Sequence, residues 1–121
     1  RNQVYAAACE FLPEGEGFGL HTIIPQCPID IEELLEKLTA LGRPVVFLGD
    51  GVPVYREAVR AHCGVPYALA PAGSNRQRAA SIAALGAVYF RQGRIVPAAA
   101  HSPVYLRKSQ AEQEAGRRQQ S

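Results

Sequence analysis

Gly49-Asp50-Gly51 sets a carboxylate between two glycines at the end of an apolar run, Val45-Val46-Phe47-Leu48. Glycines in such a turn let backbone amides approach a phosphate or an adenosine, and Asp50 would then stand beside a metal or a ribose. A phosphate loop normally adds a Lys and a Ser or Thr, or a longer glycine pattern, and neither is present here. The plainer reading is a tight turn in which Asp50 accepts hydrogen bonds from the amides that follow it. His62-Cys63 is an adjacent pair at a helix end, where consecutive side chains point apart and make a poor nucleophile–base pair. A protonated His62 would instead suit the helix dipole. Cys9, Cys27, His21 and His101 offer no recognised metal-ligand spacing. Ser74 reads as a helix cap before it reads as a nucleophile, and Glu14 and Glu16 as solvated residues flanking a turn. Arg76, Arg78, Arg107, Lys108, Arg117 and Arg118 either touch an RNA backbone or are solvated charge, some of it paired with Glu112 and Glu114. No combination supplies a nucleophile, a base and an oxyanion site together. Taken residue by residue, the chain does not describe an enzyme, and no cofactor is expected.

The elements that would position these residues are those of an α/β protein. Four consecutive apolar residues without alternation suit a strand buried on both faces, so Val45–Leu48 is expected to be one. After the glycine turn, Pro53 can open a helix over Val54 to Cys63, with Gly64 as its stop. In open α/β sheets, this carboxyl edge of a strand is where ligands usually sit. Asn2 to Leu12 reads as a strand, although its alanines leave a helix open. The loop Pro13-Glu14-Gly15-Glu16-Gly17 and the extended pattern of Phe18 to Ile24 complete a hairpin. Asp30 with Glu33 forms a capping box, Ile29 and Leu34 are placed for a hydrophobic staple, and Gly42 ends the helix between. Ile31, Leu34, Leu35, Leu38 and Leu41 share one face of that helix. Val65 to Ala70 is a short strand. Ser74 and Gln77 form a second capping box, ahead of an alanine-rich helix from Asn75 to about Gln92 that Gly93 ends. Arg94 to Ser102 is a loop, Pro103 to Arg107 a short ordered element, and 108–121 either a solvated helix or a frayed tail.

A chain of 121 residues with 47% hydrophobic and 20% charged residues is expected to form one globular domain. A formal charge of +2 is too small to argue nucleic-acid binding from electrostatics alone. Three scattered cysteines suggest reduced thiols and a cytoplasmic setting. No apolar run approaches the length of a membrane span, and no signal peptide is expected. The opening residue is not Met, and strand pattern begins at once, which suggests a piece of a longer protein.

Two segments, VVFLGDGVPVYREAV from Val45 to Val59 and PVYLRKSQAE from Pro103 to Glu112, resemble the second lobe of the TsaB (YeaZ) family. The opening RNQVYAAACEF is similar to a strand of that lobe, and the resemblance covers essentially the whole chain. It implies an actin-like/Hsp70-like ATPase lobe over residues 1–107, built as a ribonuclease-H-like mixed sheet with helices on its faces, followed by a polar tail at 108–121. It also implies a dimerising, non-catalytic subunit that supports a TsaD-type enzyme, together with a TsaE-type ATPase, in placing threonylcarbamoyladenosine on tRNA. Under that resemblance Gly49, Asp50 and Gly51 match a vestigial nucleotide turn, and Pro103, Tyr105, Leu106 and Arg107 would meet a partner or the other lobe. TRNA contact would be indirect, and a glycoprotease label would be inherited from the homologue. The alternative is a nucleotide-binding lobe of an actin-like-fold kinase or ATPase.

Under the resemblance the family's first lobe would lie outside these residues, as would a strand expected to precede Arg1 and to lie between Asn2–Leu12 and Val45–Leu48. Unpaired buried amides and carbonyls cost about 1–3 kcal/mol each, against a domain stability of about 5–15 kcal/mol. The vacant place is therefore expected to be filled, by a strand or tail of another copy or by direct pairing of the two flanking strands.

Overall fold

The structure is a computed structural model and describes residues 2–106. It is a mixed α/β chain with small sheets and three α-helices, arranged as two compact units. The first unit contains residues 2–30 and 103–106, the second residues 31–102.

In the first unit, β1 (Gln3–Glu14) and β2 (Gly17–Asp30) form an antiparallel hairpin turned at Gly15, whose φ of 58° favours glycine. Both strands outrun the sequence expectation, β2 by six residues beyond Ile24. The added stretch contains Pro25 and Pro28, and proline cannot donate to a ladder. A two-stranded sheet has only edge strands, however, and a proline is tolerated where its missing N–H points away from the partner. The register shifts between Ala6 and Cys9 absorb the extra residues of β2 as bulges.

The second unit begins with α1 (Ile31–Ala40), directly after Asp30 as the cap pattern requires. Ile29 and Leu34, the expected staple, are both buried, as are Ile31, Leu35 and Leu38. Glu33 pairs with Lys37 one turn on, at 3.1 Å. Gly42, with φ 66°, ends the helix, its N–H donating to the Thr39 carbonyl. Next come β3 (Val45–Phe47), α2 (Val52–His62) and β4 (Tyr67–Leu69), with β3 parallel to β4. The ladder is extended by Val45 N–H to the Pro66 carbonyl and Ala70 N–H to the Phe47 carbonyl. α1 packs on α2, where Val52 and Val59 are buried. Thr39 Oγ1 accepts the Gly64 N–H at 3.0 Å and ties α1 to the loop after α2.

Three expectations need correction. Among the described residues the strands form two two-stranded ladders, β1–β2 and β3–β4, rather than one mixed sheet. Val45–Leu48 is not buried on both faces, since Val46 is 64% and Leu48 67% exposed. An apolar run shows that a strand can be covered, but the covering has to come from elsewhere in the fold. The second capping box also does not form. Ser74 closes a 3-10 turn (Ala72–Ser74), α3 (Ala79–Arg91) starts later than Asn75, and its N-cap Arg78 makes no side-chain cap bond. Ser74 N–H donates to Pro71 and Asn75 N–H to Ala72, which holds this stretch in a turn instead of a helix.

α3 ends as expected at Gly93, with φ 71°. Gly93 N–H donates to Phe90 and Arg94 N–H to Tyr89, and the Arg94 guanidinium lies 3.9 Å over the Tyr89 ring. The loop that follows contains a 3-10 turn at Ala98–Ala100, and Pro103–Leu106 has no regular secondary structure. Arg107 and the 108–121 segment lie outside the described residues.

Candidate functional site

The glycine turn sits where the strand–turn–helix pattern puts it, between β3 and α2. Gly49 has φ 119°, which side chains rarely adopt, so glycine is required there. Its N–H donates at 3.3 Å to Oδ1 of Asn75, a residue 26 positions away, just beyond the 3-10 turn. The Gly49 carbonyl accepts Val52 N–H, and the Gly51 carbonyl accepts both Val54 and Tyr55 N–H. Pro53, in the first turn of α2, has no N–H to offer.

These bonds bear directly on what the turn can hold. A phosphate cradle needs several backbone N–H groups aimed outward at one point. Here the Gly49 amide is used by Asn75, that of Val52 is turned back to Gly49, and residue 53 has none. Asp50 is exposed and adds negative charge at the same place. The arrangement is that of a turn braced by a distant side chain. Asn75 lies in a turn ahead of α3 and not in the helix expected to start there; an Asn after Gly-Ser carries a turn signal.

The second set of residues lies in the other unit. Val104, Tyr105 and Leu106 line an open pocket of about 300 Å³ together with Tyr5 of β1. Tyr5 and Tyr105 are largely exposed, so the pocket is a shallow apolar surface with two phenol groups at hand. Nothing local in the sequence links Tyr5 to a segment a hundred residues on. Pro103 is exposed and is not among the lining residues.

The remaining candidates stay apart. His62 is the last residue of α2, Cys63 is its C-cap, and the Cys63 thiol donates to the Val65 carbonyl at 3.6 Å. Cys9, Cys27 and Cys63 are free thiols, with Cys9 Sγ 4.0 Å from Thr22 Oγ1. Among the described residues, no three of His, Cys, Asp or Glu come together as a metal would require. Arg76 and Arg78 are exposed beside the 3-10 turn, whereas Arg107, Lys108, Arg117, Arg118, Glu112 and Glu114 lie outside the described residues. No helix among the described residues is long and apolar enough to cross a membrane. Comparison with family models, with curated proteins and with solved structures found no match to this chain.

Proposed function

We propose that this chain is a ribonuclease-H-like lobe of a TsaB-type protein, a non-catalytic cytoplasmic subunit. It would support a TsaD-type enzyme, with a TsaE-type ATPase, in threonylcarbamoyladenosine modification of tRNA, and it would form homodimers in its full-length context. The observation that carries the reading is the order of elements: an antiparallel pair, then helix, strand, helix, parallel strand and helix. That order supports an α/β lobe of this kind. Of the segments that carry the resemblance, VVFLGDGVPVYREAV runs over β3, the glycine turn and α2, and PVYL includes three residues that line the pocket beside Tyr5. The braced turn supports a subunit without nucleotide chemistry over an actin-like kinase or ATPase lobe.

Disrupting the gene in its host and measuring nucleosides of bulk tRNA by mass spectrometry tests the proposal. Threonylcarbamoyladenosine should fall, and the complete coding region should restore it; an unchanged level would refute the reading. Micromolar binding of ATP-Mg that Asp50→Ala abolishes would favour the nucleotide-binding alternative.

A further inference from the structure

We draw no further inference here: the strongest candidate, the exposed apolar surface of α3, carries nothing, because none of its residues is buried and nothing in the structure shows what covers it.

Discussion

Replacing Asn75 with Ala removes the acceptor that holds the Gly49 amide, and the size of the effect follows from the geometry. A neutral hydrogen bond contributes about 0.5–1.5 kcal/mol net. This one is 3.3 Å long and only part-buried, which places it in the lower half of that range. A loss of about 0.5–1 kcal/mol corresponds to a roughly two- to fivefold faster exchange of the Gly49 amide, if exchange occurs through local opening. Native-state hydrogen exchange read by NMR at that single amide is the assay, with urea unfolding as the global check. The midpoint should fall slightly while the m-value is unchanged. Asn75→Asp keeps an acceptor of the same length and should retain the protection at neutral pH. If the Gly49 amide exchanges as slowly in Asn75→Ala as in the parent, the side chain does not brace the turn, and the case against a phosphate cradle loses its main support.

Two further substitutions probe the core and one close approach. Leu35 is fully buried in α1, so Leu35→Ala should cost about 2–5 kcal/mol in denaturant unfolding. The low end of that range is expected, because a small core collapses readily onto a cavity. Gly64→Ala would bring a Cβ to 2.6 Å from Thr39 Cγ2, while the Thr39 hydroxyl is held by the Gly64 amide. The expected loss is about 1–3 kcal/mol. Adding Thr39→Ser, which keeps the hydroxyl and removes the methyl, should recover most of it in a double-mutant cycle.

The features legible in the sequence are those whose physics is local. Asp30 before α1, Gly42 and Gly93 after α1 and α3, and the apolar run that ends in Gly49-Asp50-Gly51 each act within a turn or two of chain. Caps, positive-φ glycines and side-chain periodicity therefore sufficed to place α1, β3, the start of the hairpin and the end of α3. β2 ran on past Pro25 and Pro28 because a strand's tolerance for proline depends on which edge is paired, and pairing is a property of the sheet. Asn75 stands in a turn outside the expected helix, and its side chain accepts from an amide 26 residues away, a partner that no local pattern names. The apolar faces of β3 and α3 were equally visible as patterns, but hydrophobicity specifies a need for burial without naming the surface that meets it. Which strands pair, which glycine amide is occupied and which apolar faces stay open are matters of long-range contact, and they emerge when the chain is folded.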